Sequence, residues 1–150
     1  MPGNARPESA LVVVATGSGE ILLLRRLVPR GAWQSVTGGL EAGETPRDAA
    51  IREVHEETGI DIQSVTGARL VDCQKTATFE IWPQWRDRYP AGVTHNTEHQ
   101  FHLFLEERPT VVTNPGEHDA YAWLSMEDAV RRATFPTDCA AIDALGGGLK

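Results

Sequence analysis

The chain has 150 residues, 41% of them apolar and 23% charged, proportions that suit one ordinary globular domain with length enough for a hydrophobic core. These values exclude a disordered tail, a collagen-like repeat and a coiled coil. The longest apolar runs, residues 11–15 and 21–24, are far short of the roughly 20 residues that cross a bilayer, so no membrane partner is expected. A net charge of −7 argues against a nucleic-acid duplex as partner, because a duplex calls for a basic face. It leaves a phosphate substrate open, since a divalent metal can supply the positive charge.

In chain order, residues 1–9 hold Pro, Gly and Asn and are expected to form a loose arm; no basic region followed by a long apolar one suggests a signal peptide. Residues 11–15 are β-branched-rich, Thr16, Gly17, Ser18 and Gly19 are turn chemistry, and residues 21–26 complete an expected hairpin. Pro29 and Gly31 interrupt the chain before residues 33–36, and a Gly-rich loop over 37–44 leads into a helix. Thr45 is placed to cap that helix, Pro46 suits its first position, Asp48 completes an approximate capping box, and Gly59 stops it. Ala50, Ile51 and Val54 form its apolar side, and Asp48, Arg52 and His55 point away. Strands are expected at 68–73, 76–82, 100–105 and 121–124. A short helix runs from Ser125 to about residue 133, and a second starts at Thr137 or Asp138 and fades into a loose tail over 146–150. This order of elements predicts one α+β domain over 1–150 built on a mixed sheet.

The chemistry concentrates in the first long helix and the loop before it. Gly38 is followed after five residues by Glu44, and after seven more by Arg52, Glu53, Val54, His55, Glu56, Glu57, Thr58, Gly59 and Ile60. Glu53, Glu56 and Glu57 stand at i, i+3 and i+4, within an arc of roughly 100° on a helix. Like charges so placed destabilise a helix by roughly 0.2–0.5 kcal/mol per pair unless a cation offsets them. Clustered carboxylate oxygens suit Mg²⁺, Mn²⁺ or Ca²⁺ rather than zinc, and Mg²⁺ commonly bridges to substrate phosphates. The plain alternative for an isolated trio of glutamates is a solvated helix face; the surrounding glycines, Glu44 and Arg52 at fixed spacings argue against it.

This string resembles the box of the Nudix hydrolases at every specified position, with Val54 and Ile60 in its two aliphatic places. The resemblance implies an α/β/α sandwich around a central mixed sheet and cleavage of a nucleoside diphosphate-like group. It implies Mg²⁺, or alternatively Mn²⁺, held by Glu53, Glu56 and Glu57, with the Gly38 carbonyl as a further ligand and Glu44 and Arg52 orienting the carboxylates. Catalysis falls to Glu53, Glu56 and Glu117. Glu117, in the loop over 113–117, either completes the metal site or takes the proton of the attacking water, and Glu98 is its rival. Segments outside the box, among them Trp33 to Gly38, Asp72 to Thr76 and Phe79 to Ile81, resemble the branch of the family that takes pterin triphosphates in folate synthesis. The arm departs from that branch, with Ala5 where a basic residue is expected and Arg6 beside it.

The partner so implied is a small-molecule triphosphate, 7,8-dihydroneopterin triphosphate, cleaved in the cytoplasm to its monophosphate and pyrophosphate. Arg25 is expected to reach a phosphate and Thr37 to bond substrate. Phe79, Glu80, Ile81 and Trp82 border the flat ring, Glu80 as a polar reader of its edge; by strand alternation Phe79 and Ile81 can equally be core. Trp85 and Tyr89 lie in the long connection that follows. Other substrates remain open: nucleoside triphosphates such as dATP, oxidised purine nucleotides or ADP-ribose. So does a non-catalytic nucleotide-sensing domain. His95, His99 and His102 are read as solvated strand positions, and Cys73 and Cys139 as small buried hydrophobes in a reducing compartment.

Overall fold

The computed structural model describes residues 3–147. Strand β1, Glu8–Thr16, forms the middle of the molecule, with Ala10 to Ala15 all at most 1% exposed. A run that is apolar on both sides demands cover on both faces of the sheet. The turn after β1 is closed by Thr16 Oγ1, which accepts the Glu20 N–H at 3.2 Å, and β2, Glu20–Arg26, returns beside β1. The two strands pair at Ala15 and Ile21 and then part. β3, Trp33–Gln34, takes the edge of β2 that this frees, and β4, Val36–Gly39, takes that of β1.

On the other edge of β1, β6, His95–Leu105, runs parallel, and β5, Arg69–Glu80, lies antiparallel beyond it. β7, His118–Ser125, pairs antiparallel with β2. The result is a seven-stranded mixed sheet. Helix α1, Pro46–Thr58, packs on the face carrying Ala10, Val12, Val14, Leu22 and Leu24. Helices α2, Met126–Arg132, and α3, Pro136–Asp143, cover the face carrying Leu11, Val13, Ala15, Ile21 and Leu23. This is the expected α/β/α sandwich. Among the described residues no helix is long and apolar enough to cross a membrane.

Helix α1 has the expected bounds because both ends are chemically fixed. Thr45 Oγ1 accepts the Asp48 N–H at 3.1 Å, Asp48 Oδ2 accepts the Thr45 N–H at 3.2 Å, and Gly59 closes the last turn at φ 77°. Its buried side differs from the expectation. Ala49, Ala50, Glu53, Val54, Glu57 and Thr58 are buried, Ile51 is half-buried, and Arg52 does not point away but turns to Glu44.

Several other expectations are corrected. The strands expected at 68–73 and 76–82 are one strand, β5, irregular between Asp72 and Thr76, where Gln74 adopts φ 54°. Helix α3 begins at Pro136, one to two residues early, because proline suits a first helical position. Residues 1–9 are not a loose arm throughout, since β1 starts at Glu8. Ahead of it the Gly3 N–H donates to Asp87 O at 2.7 Å and the Ala5 N–H to Arg88 O at 2.9 Å. Of the expected loose tail, Gly146 and Gly147 close a 3-10 turn, Ala144–Gly147, and 148–150 lie outside the described residues.

Candidate active site

The box loop and α1 meet through one guanidinium. Arg52 donates to Glu44 Oε2 at 2.7 Å and Oε1 at 2.8 Å, to Gly39 O at 2.8 Å, to Glu53 Oε1 at 2.8 Å and to Glu56 Oε2 at 3.1 Å. The paired bonds to Glu44 are the strong, geometry-setting kind. They hold the Glu44 carboxyl down at about 2. Glu44 Oε1 also accepts the Glu41 N–H at 2.7 Å, which fixes the loop to its own carboxylate. Gly38 leaves room for the next group: a Cβ there would stand 2.1–2.5 Å from the Glu53 carboxylate. The expected pair of orienting residues, Glu44 and Arg52, is thus brought together with Gly38 and Glu53.

Glu53 and Glu57 are 8% and 1% exposed. Burial pushes both carboxyls up, and for Glu57 the nearby Glu53 and Glu117 push further, against the Thr37 backbone N–H. Glu57 Oε1 has no hydrogen-bond partner. The nearest cation candidate is His118 Nε2 at 3.8 Å, but burial and Arg26 drive that imidazole down to about 4, so it is neutral at pH 7. A buried carboxylate pair with an orphaned oxygen is expensive unless a cation joins it. Oxygen donors in this state suit a hard divalent ion. Among the described residues no three Asp, Glu, His or Cys side chains already converge as a metal cluster, because Glu56 is turned outward onto Arg52.

Glu53, Glu57, Thr37 and Gly38 line one end of a cavity of about 660 Å³. Glu117 lines it too, in an exposed turn, and makes no side-chain hydrogen bond among the described residues. Another part of the lining is aromatic. Trp82 and Trp85 stand 4.8 Å apart between ring centroids, with Phe135 at 6.1 Å from Trp82. Phe79 and Trp82 are each 37% exposed, and Ile81 is 4% exposed; all three line the cavity. Phe79 is therefore not core: near the end of β5, paired with Asn96, it lines the cavity instead. Glu80 borders the cavity but points its carboxylate at Arg86 Nη2, 2.5 Å away.

Arg25 is not at the site. It bonds the exposed Asp119 at 2.7 Å and does not line the cavity. Arg26 takes that place. Arg26 continues the row of Leu22 and Leu24 on β2, beside a register shift that leaves Asp119 of β7 without a partner strand position. Its Nε donates to Val28 O at 2.6 Å and its Nη1 to Gln34 Oε1 at 3.3 Å, and it lies 5.7 Å from the Trp85 ring centre. Burial lowers its pKa while Glu57, Glu117 and Asp138 oppose the fall.

Sequence reasoning also missed His118 and Asp138. Asp138 has a readable signal: it shares a helical stripe with Ala141 and Ile142, so it must be buried. Its Oδ1 accepts the Ser35 N–H at 2.7 Å, and burial raises its carboxyl to about 7. His99 bonds Glu8 at 3.2 Å and His102 bonds Ala141 O at 3.1 Å, on opposite faces of β6, so they share no ion. The cysteines are free and half-buried, Cys139 against Val130 O and Ala133 O.

A family model described as NUDIX domain matches residues 5–142. The chain belongs to the Nudix family. This Nudix hydrolase is 49% identical over 126 residues to the dihydroneopterin triphosphate diphosphatase of Escherichia coli K12, covering 83% of this chain and 81% of that one. It is 38% identical over 136 residues to the protein of that name from Haemophilus influenzae, covering 90% and 84%. The structure of the E. coli dihydroneopterin triphosphate pyrophosphohydrolase superposes with a TM-score of 0.85 at 39% identity, over 97% of this chain and 99% of that one. Nudix hydrolases require a divalent metal, and the donors at Glu53 and Glu57 fit one.

Proposed function

We propose that this Nudix hydrolase converts 7,8-dihydroneopterin triphosphate to dihydroneopterin monophosphate and pyrophosphate with Mg²⁺, Mn²⁺ being able to replace it. The observation that carries the reading is the union, in one cavity, of the buried Glu53 and Glu57 pair with the wall of Trp82, Trp85 and Phe135. The likeness to the E. coli and H. influenzae diphosphatases supports the same substrate. A flat bicyclic ring fits an aromatic wall, and a triphosphate fits the carboxylate end once a cation is bound.

The oxygen of a water molecule attacks a phosphorus of the triphosphate, the anhydride bond breaks, and pyrophosphate departs with the bonding pair. Glu53, Glu57 and, through the oxygen not bonded to Arg52, Glu56 would hold the metal, with the Gly38 carbonyl as a further ligand. Bound there, a divalent ion would polarise phosphoryl oxygens and acidify water. Arg52 fixes Glu53 and Glu56 in position and Glu44 fixes Arg52. Arg26 faces the phosphates in place of Arg25 and stabilises the charge that builds on the leaving group. Glu117, free of any ion pair among the described residues, accepts the proton of the attacking water.

The test is a competition. Purified protein with Mg²⁺ is given equal amounts of dihydroneopterin triphosphate, dATP, 8-oxo-dGTP and ADP-ribose, and products are resolved by ion exchange. The pterin should disappear first, with one pyrophosphate per monophosphate. Faster loss of another compound overturns the substrate, and loss of none overturns the activity.

A further inference from the structure

Ser9 on β1 lies in register with Gly39 on β4 and with Glu98 on β6. Ser9 precedes Leu11 by two residues, so this row faces α2 and α3, the side opposite to α1. Glu98 therefore enters the cavity from a different sheet face than the helix that bears Glu53 and Glu57. It is 4% exposed, and its Oε1 has no hydrogen-bond partner. Gln100 and Thr137 lie near enough to favour its ionised form, but no donor reaches Oε1, and Asn96 Nδ2 is taken by Ser9 Oγ at 2.8 Å. Glu80, an acidic residue beside Phe79 and Ile81, is exposed and held by Arg86.

A buried carboxylate with an empty acceptor costs stability unless a ligand completes it. We propose that Glu98 sets the specificity of the cavity by accepting, on its two carboxylate oxygens, the adjacent ring and amino N–H donors of a 2-amino-4-oxopyrimidine edge, which pterin and guanine share. The proposal rests on the reading of the cavity as the site of a heterocyclic triphosphate, with Trp82, Trp85 and Phe135 against the ring faces. An adenine edge offers one acceptor and one donor in that place and leaves a carboxylate oxygen unpaired. Burial and the nearby Asp138 raise the Glu98 carboxyl to about 7, against Gln100 and Thr137, so two N–H donors also favour its ionised form.

The experiment compares dGTP, dITP and dATP, with dihydroneopterin triphosphate alongside, on the wild type and on Glu98→Gln. KM is read from turnover with Mg²⁺, and Kd by calorimetry with Ca²⁺ in its place. In the wild type, dITP, which lacks the amino group, and dATP should each bind roughly tenfold or more weakly than dGTP. Glu98→Gln should raise KM for dGTP and for the pterin roughly ten- to hundredfold, leave kcat nearly unchanged, and leave dATP unaffected or improved. Equal binding of dGTP and dITP by the wild type overturns the proposal without any variant, and so does an unchanged ratio of dGTP to dATP in Glu98→Gln. A wild type that ignores the pterin but prefers dGTP, with that preference lost in the variant, refutes the pterin substrate and supports the role of Glu98. Pterin hydrolysis with an unchanged ratio does the reverse.

Discussion

At the scale of single residues, the cavity is costly to the folded state, and Glu98 shows it most directly. Its carboxyl rises from 4.5 to about 7 because it is buried beside Asp138, itself raised from 3.8 to about 7. Between these limits the folded chain keeps protons that the unfolded chain has released. Stability from these groups is therefore full below their unfolded values and is lost as pH climbs through about 7. For Glu98 the loss amounts to about 3 kcal/mol at pH 8. Glu98→Gln, neutral at every pH, should match the wild type in urea unfolding at pH 4.5 and exceed it by about 1–3 kcal/mol at pH 8. Parallel pH profiles for the two proteins would show that Glu98 is not buried in this state. The group that destabilises the empty protein is the group assigned to reading the substrate, which is the usual trade between stability and function.

At the scale of elements, β4 and α1 form one unit, because Gly38 gives the Glu53 carboxylate the space a side chain would fill. Gly38→Ala should lower kcat by at least roughly 10²-fold, the low end of what a positioned catalytic group contributes. It should leave the melting temperature within a few degrees, since the atoms displaced are the far end of a flexible side chain. Near wild-type kcat would mean that Glu53 does not need its place on Gly38. The box was legible in sequence because its spacing, its caps at Thr45 and Gly59 and its carboxylates are all local to one loop and one helix. The order of elements was enough for one α+β domain on a mixed sheet, whereas the α/β/α layering followed only from the resemblance that the box carries. What could not be read depends on distant partners. Both faces of β2 are covered, so alternation alone did not say which of Arg25 and Arg26 meets the cavity. Alternation set the face of Phe79 but not that this face opens onto the cavity. Glu98, His118 and Asp138 come from separate elements whose meeting no spacing announces.

At the scale of the whole molecule, the segment before β1 braces both ends of the cavity. Arg6 Nη1 donates to Glu41 O at 3.0 Å and to Glu44 O at 2.8 Å, at the loop whose Glu44 holds Arg52 and through it Glu53. Glu8 Oε2 accepts from Arg6 Nη2 at 2.6 Å and keeps the guanidinium aimed. A few residues earlier, Gly3 and Ala5 donate to the carbonyls of Asp87 and Arg88, at the end of the 3-10 turn Pro83–Arg88 that carries Trp85. A Cβ on Gly3 would stand 2.3 Å from Arg88 O, a backbone atom that cannot step aside. The two contacts should therefore separate kinetically. Arg6→Ala loosens the carboxylate end and should reduce kcat roughly three- to tenfold with little change in KM, the scale of one or two lost hydrogen bonds. Gly3→Ala loosens the aromatic end and should raise KM by a similar factor with kcat nearly kept. Amide exchange should quicken at 41–44 in the first variant and at 85–89 in the second. If both variants instead change KM and kcat alike, or neither changes exchange at its own end, the segment is only the start of a strand and the cavity holds its shape without it.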